Sequence, residues 1–343
     1  MMKRLTALLL CAMLAISMFA GCGNKVDKTA TVATLEDTKV SLGLANFVAR
    51  LQQAQYDDFY VMYFGENVWR TDMYGYGTTM EDDLKSSVLE SIYAMYAMKE
   101  HAADYGIELT TEEKAAISTA AASFISSNSA DAIEALGATQ EIVEEYLALL
   151  TIQTKMYNEI IKDVDTNVSD EEANMSAYSY IRVSRSTYVD AEGNSVSHTE
   201  DTLAELATTM EAFMADVETM GLDEAAKAHD YNMYTGTFAA DMSGLTTEVA
   251  EALKVLAEGE VSGLIETSTQ YYVVRLDANT DEAATESNRQ TIISERQTAL
   301  YTEVVEGFMD EFEWKVNAKV WAQVKFDNLF TTIEESEDST ELN

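Results

Sequence analysis

The spacing of Leu44, Phe47, Val48 and Leu51, at i, i+3, i+4 and i+7, puts four apolar side chains on one face of a predicted helix. Ahead of it, residues 32–41 read as two short extended pieces around Glu36 and Asp37. Residues 56–76 are rich in aromatics and glycine, which predicts a helix end followed by a loop. A long helix is predicted over 80–105, with Thr79 capping it, Asp82 three positions on and Gly106 suited to its end. Thr110 with Glu113 marks a second start, Thr139 a third, and Ser169 with Glu172 a fourth. Residues 80–165 are thus a run of helices with short connections.

The period changes near Ala177. Residues 178–183 (YSYIRV) read as a strand and 190–194 as a turn. A helix follows over 201–220, with Leu203, Leu206, Met210, Phe213 and Val217 on one face. Then come a short helix (223–229), an extended piece (232–238), a helix (246–256) and a last strand (271–276). That order describes a compact α+β domain. Residues 286–312 return to helix, with Leu300, Val304, Phe308 and Phe312 every fourth position. Trp314, Val316, Ala318 and Val320 alternate with polar residues, predicting a strand that folds back on the N-terminal half.

The first 22 residues follow a different logic. Lys3 and Arg4 precede a mainly apolar run over 5–18 that ends in Phe19-Ala20-Gly21-Cys22. A basic start, a short apolar stretch and small residues before a cleavage point make a secretory leader, and cysteine directly after Ala-Gly makes it a lipobox. The run falls short of the roughly 20 apolar residues that a spanning helix needs. The mature chain is therefore expected to begin at Cys22, acylated there and held at the outer face of a bacterial membrane. An ordinary cleaved leader with a chance cysteine is the alternative. Cys11 and Cys22 are the two cysteines, so this reading leaves the folded body without a disulfide or a cysteine nucleophile.

The formal net charge is −38, which makes nucleic acid and anionic head groups poor partners. No loop has the spaced Asp/Asn/Gly pattern of an EF-hand, and there is no nucleophile elbow, no HExxH and no metal-spaced His/Cys cluster. Neither a metal nor a cofactor is expected. The chain has no proline, so its helices run without proline kinks and its folding has no slow prolyl step.

Three stretches carry a family resemblance: residues 107–113 (IELTTEE); 136–139 (LGAT), running into the 142–161 helix; and 259–262 (GEVS) followed by 271–276 (YYVVRL). In this order, and behind a lipobox, they resemble the extracytoplasmic foldase lipoproteins of Gram-positive bacteria (PrsA-like) and their periplasmic SurA-like relatives. The resemblance implies a helical chaperone domain, built from both ends of the chain, with an inserted parvulin-type peptidyl-prolyl isomerase domain. Its organisation would be leader 1–21, tether 22–31, helical chaperone domain 32–175, parvulin-like domain 176–279, completing helix and strand 280–332, and an acidic disordered tail 333–343.

Where the family has histidines in its first and last parvulin strands, this sequence has Tyr180 and Tyr272, and the family's GGDLG turn is reduced to YTGTF at 234–238. Met242, Leu245 and Val249 fall where the pocket's apolar residues belong. His101, His198 and His229 match none of the family's active-site positions and are expected at the surface. Tyrosine does not supply imidazole chemistry near neutral pH, so weak or lost isomerase activity is expected.

Tyr93, Met95, Tyr96 and Met98 on one helix are candidates for client binding, as is the crowd of Tyr56, Phe59, Tyr60, Tyr63, Phe64 and Trp69, because methionine and tyrosine make adaptable surfaces. The expected partners are unfolded or newly exported polypeptides and the membrane, through the lipid; a dimer is compatible with the sequence. A solute-binding lipoprotein of a transporter is the alternative, and it would need two lobes of alternating strands and helices.

Overall fold

The computed structural model describes residues 16–18 and 26–332. Cys22 and the acidic tail from Glu334 onward, both subjects of sequence expectations, lie outside the described residues. The elements in chain order begin with β1 (Ile16–Met18), β2 (Thr31–Leu35), β3 (Thr38–Ser41), α1 (Leu42–Phe64), α2 (Met80–His101), α3 (Thr111–Ser127), α4 (Ala130–Leu136) and α5 (Gln140–Ile160). They continue with α6 (Asp170–Ala173), β4 (Met175–Ser184), β5 (Thr187–Val189), β6 (Ser195–Ser197), α7 (Glu200–Met220), α8 (Leu222–Ala228) and β7 (Tyr234–Ala239). The last are α9 (Thr247–Leu253), β8 (Ile265–Glu266), β9 (Gln270–Ala278), α10 (Glu282–Asp310), β10 (Trp314–Val316), α11 (Ala318–Trp321) and β11 (Phe330–Thr332). The fold is α+β. It divides into two compact units, one of Met1–Asp163 with Thr298–Asn343 and one of Val164–Gln297.

In the first unit, local chemistry sets the helix starts. Ser41 accepts the Leu44 N–H to open α1, Thr79 and Asp82 make a reciprocal capping box for α2, Thr110 and Glu113 make another for α3, and Thr139 caps α5. The caps at Thr79, Thr110 and Thr139 are those expected from the sequence. Gly137 ends α4 in the left-handed conformation, and its missing side chain leaves room for Asn46, whose Nδ2 donates to the Leu136 carbonyl at 2.9 Å. The first half of α1 is buried all round, with Leu44, Phe47 and Val48 fully enclosed.

The chain's C-terminal stretch returns to this unit. β10 pairs antiparallel with β2, Trp314 opposite Leu35. The strand expected over 314–320 stops at Val316, because the Asn317 side chain accepts the Val320 N–H and starts the short helix α11. Beyond it, buried polar groups strap residues 324–330 to α1 and α2. Arg50 donates to the carbonyls of Lys325 (3.0 Å) and Asn328 (3.2 Å), and Lys85 to that of Val324 (2.8 Å). Glu81 accepts the Phe326 N–H at 3.1 Å. Asp57 accepts the Phe330 N–H at 2.7 Å and the Trp69 indole N–H at 2.5 Å. β11 then pairs antiparallel with β1.

The second unit is built on an antiparallel four-stranded sheet in the order β7-β4-β9-β8. One face of that sheet is packed by α7 and α8 through Met210, Phe213, Val217, Leu222 and Ala225, as the helical stripe over 201–220 predicted. The helix expected from Ser169 is only the single turn α6. The β5–β6 hairpin around the predicted 190–194 turn did not register in the sequence pattern, because each of its strands has three residues.

Burial pushes the Asp57 carboxyl up from 3.8 to about 6, against the opposing pull of the Phe330 and Trp69 N–H groups, Gln53 and Arg50. Its folded value lies above its unfolded one, so the proton favours the folded state. That contribution is complete below about pH 4 and is lost as pH rises through about 6. All three tryptophans (Trp69, Trp314, Trp321) belong to this unit, so indole fluorescence reports its unfolding alone. Asp57→Asn is expected to remove up to about 3 kcal/mol of the pH-dependent loss in stability between pH 4 and pH 7. Urea titrations followed by indole fluorescence at both pH values check this, and an unaltered pH dependence in the variant contradicts it.

Candidate functional site

The sheet of the second unit alternates side chains between its faces. On β4, Ala177, Ser179, Ile181 and Val183 alternate with Ser176, Tyr178, Tyr180 and Arg182. Ile181 joins the α7–α8 core, as do Tyr271 and Val273 of β9. The opposite face gathers Tyr178 and Tyr180 from β4, Phe238 from β7 and Tyr272, Val274 and Leu276 from β9. Met242, Leu245 and Val249, from the loop after β7 and from α9, pack against the same cluster. Tyr180, Met242, Leu245, Val249 and Tyr272, five residues singled out from the sequence, therefore share one side of one sheet.

The face is an aromatic ladder. Tyr180 stacks between Tyr178 (5.3 Å, 19° between planes) and Tyr234 (5.3 Å, 26°), and Tyr272 lies 6.1 Å from it. Tyr178 meets Phe238 edge-on at 5.7 Å. The Arg182 guanidinium sits 4.9 Å from the Tyr234 ring centre, within range of a cation–π contact. Gly236 pairs with Tyr178 across β7 and β4, and the tyrosine ring lies over it. A glycine in a strand here creates the space that a ring fills.

The four tyrosines are half-buried, each with an apolar ring and a polar tip. Burial, and then Tyr180 and Tyr272, push the Tyr178 hydroxyl above its ordinary value. Phenol hydroxyls of this kind both donate and accept hydrogen bonds.

Residues 172–287 match the family model described as a PPIC-type PPIASE domain. The second unit is built around a PPIC-type PPIase domain. Among solved structures, the chain is similar to the foldase protein PrsA of Lactococcus lactis, at 14% identity over 86% of this chain and 98% of that one, with a TM-score of 0.36. PrsA of Streptococcus pneumoniae matches at 14% identity over 85% and 97%, with a TM-score of 0.27. A structure of the SurA-like chaperones PEB4 and Cj1289 of Campylobacter jejuni matches at 10% identity over 84% and 99%, with a TM-score of 0.28. No curated protein sequence matches the chain.

The ladder face of the PPIase domain holds no histidine among the described residues. His229 belongs to the other face, where its Nε2 is 2.8 Å from Asp216 and its ring meets Phe213 edge-on. His198 lies 3.1 Å from the Thr202 hydroxyl beside the β5–β6 hairpin. His101, in the first unit, stacks on Phe308 at 4.2 Å and contacts Asp104 at 3.1 Å. Surface positions were expected for all three; each is half-buried instead, because each has a ring or a polar partner to pack on. Sequence reasoning passed over Tyr178, Tyr234, Phe238 and Arg182 as site residues. The period-2 alternation around Tyr180 was the signal that points to Tyr178 and Arg182.

The client-binding candidates on α2 need correction. Met95 is 3% exposed, Tyr96 2% and Met98 not at all, so all three are core residues of the first unit. Tyr93 is half-buried, stacked on Trp314 at 4.9 Å, with its hydroxyl donating to the Phe312 carbonyl at 3.0 Å. The reason is that α2 is covered on several sides, by α1, by α5 and by the returning C-terminal stretch. Of the other aromatic crowd, Trp69 is buried and Tyr60 half-buried, whereas Tyr56, Phe59, Tyr63 and Phe64 are exposed.

A Cβ at position 236 would stand 2.7 Å from the Tyr178 ring, so Gly236→Ala must push the ladder apart. It is expected to destabilise the PPIase domain by about 1–3 kcal/mol while leaving the indole-reported unfolding of the first unit in place. Calorimetry of the whole chain beside indole fluorescence checks this; an unchanged calorimetric profile contradicts it.

Proposed function

We propose that the protein is a chaperone or foldase for exported polypeptides, working outside the cytoplasm, whose PPIase domain holds prolyl segments with little or no isomerase turnover. The observation that carries the reading is the tyrosine ladder, with Tyr180 and Tyr272 at the places where the resembling family has histidines. Prolyl isomerisation must lower a rotation barrier of about 18–20 kcal/mol, which needs an apolar seat for the ring and a polar network that favours the twisted imide. The ladder and its apolar border supply the seat. Half-buried phenols offer hydrogen bonds in place of an imidazole pair.

Lipidation at Cys22 would keep such a protein at the outer face of the membrane where clients emerge, in keeping with the lipobox and with Gram-positive relatives by resemblance. Its clients would be unfolded or newly exported chains. The first unit, a helical body with a small three-stranded sheet, is not one of the two α/β lobes that a transporter's solute-binding protein needs.

Two measurements test this. In a proline-peptide isomerisation assay, the mature chain at micromolar concentration is expected to leave the rate within about twofold of the uncatalysed one while suppressing aggregation of a denatured client at equimolar ratio. A rate raised tenfold or more and lost in Tyr180→Phe overturns the reading of the ladder; no suppression at several-fold excess overturns the chaperone reading. For the anchor, Cys22→Ser is expected to move the protein from the membrane fraction to the soluble one, and unchanged fractionation contradicts lipidation.

A further inference from the structure

The second half of α1 stays helical after it leaves the core. Past Asp57 it turns Phe59, Met62, Tyr63 and Phe64 outward, Met62 to 72% exposure and Tyr63 to 63%. Isolated exposed rings are ordinary, but a contiguous set marks an interaction surface. These rings are ordered against one another: Tyr56 stacks on Tyr60 at 5.4 Å, and Phe59 meets Tyr63 at 4.7 Å. The loop after it adds Tyr74 and Tyr76, stacked at 6.1 Å, with Tyr76 83% exposed. That loop is held in shape by Asp72, whose carboxylate accepts the N–H groups of Gly75, Tyr76 and Gly77 at 2.7–3.1 Å. Burial, then Tyr56 and Tyr74, raise the Tyr60 hydroxyl above its ordinary value.

Two further features border the patch. A cavity of about 260 Å³ lies between the helix and the returning chain, lined by Asp58, Val61, Met62, Glu66, Leu329 and Phe330. Next to it the β11 edge is occupied by β1, Ile16 opposite Thr332 and Met18 opposite Phe330. β1 lies in the segment read from the sequence as a leader, an apolar stretch that follows Lys3 and Arg4. Cleavage before Cys22, which the lipobox implies, would remove β1 and free the β11 edge for another extended segment.

The sequence of this stretch is one-sided in charge. Residues 51–69 and 71–84 contain no lysine or arginine but include the exposed Asp58, Glu66 and Asp72, and Arg70 between them is paired with Asp327 at 3.0 Å. A second copy of the chain would bring the same acidic belt and a formal charge of −38, so like charges oppose self-association through this face.

We infer that this face binds extended polypeptide segments combining aromatic or apolar side chains with basic ones, the backbone adding to the β11 edge and the cations reaching the carboxylates and ring faces. The inference rests on the chaperone reading and names the class of segment that it would take.

Fluorescence anisotropy on the mature chain tests it with three labelled peptides of equal length: lysine/phenylalanine, glutamate/phenylalanine and lysine/serine. The first is expected to bind at least tenfold more tightly than the others, to weaken as sodium chloride rises from 50 to 500 mM, and to lose tenfold or more in Phe59→Ser/Tyr63→Ser/Phe64→Ser. Should that variant fail the indole-fluorescence check of folding, Asp58→Asn/Glu66→Gln serves instead, and it is expected to erase the preference for lysine over glutamate. Equal binding of the glutamate peptide, or unchanged affinity in the variant, overturns the inference. So does a wild-type dimer that the triple variant dissociates, since the face would then belong to a second copy. Client aggregation measured alongside separates the two readings: full suppression by a folded triple variant removes this face and leaves the chaperone reading, whereas no suppression by the wild type removes the chaperone reading itself.

Discussion

The first unit depends on a buried polar clamp. Arg50, Asp57, Glu81 and Lys85 are each under a tenth exposed, and all four reach backbone groups of residues 324–330. Taking four charges out of water is costly, and the cost is offset only when the partners are in place. Burial lowers the Arg50 guanidinium to about 10, with Asp57 opposing the shift most strongly. Such a cluster makes a firm specification: a C-terminal stretch that failed to dock would leave buried ions without partners, at roughly 3–5 kcal/mol for each broken pair. The unit therefore closes only when both ends of the chain are present, and the PPIase domain enters the sequence as an insertion within it.

The PPIase domain is organised by a simpler constraint, the period-2 alternation of its sheet. Ile181 and Val273 on one face are consumed by α7 and α8, which leaves the other face to Tyr178, Tyr180 and Tyr272. Stacking fixes those rings, and Gly236 makes room for one of them. A face so built is suited to holding an apolar ring. Among the described residues it holds no histidine.

Local signals were legible in the sequence and distant ones were not. The capping pairs Thr79–Asp82 and Thr110–Glu113 act over three residues, so they could be read directly, and so could the stripe from Leu206 to Val217. The ladder was half legible: Tyr180 and Tyr272 stood out by resemblance, while the overlap of Tyr178 with Gly236 depends on strand register that the sequence does not display. The clamp left no trace, since Arg50 and Gln53 look like polar positions on a helix until the chain returns from position 328. The Tyr93–Met98 stretch misled for a related reason. Helical spacing reveals an apolar face but not whether another element covers it, and here α5 and the C-terminal stretch do.

The most direct measurement is two-dimensional exchange NMR of a prolyl peptide with the mature chain, reading ring resonances of the PPIase-domain tyrosines and cis–trans exchange of the peptide in one sample. The account predicts shifts at Tyr178, Tyr180 and Tyr272 as peptide binds, with no exchange cross-peaks between the cis and trans forms. Exchange cross-peaks at substoichiometric protein, or binding that leaves those three rings unmoved, would contradict it.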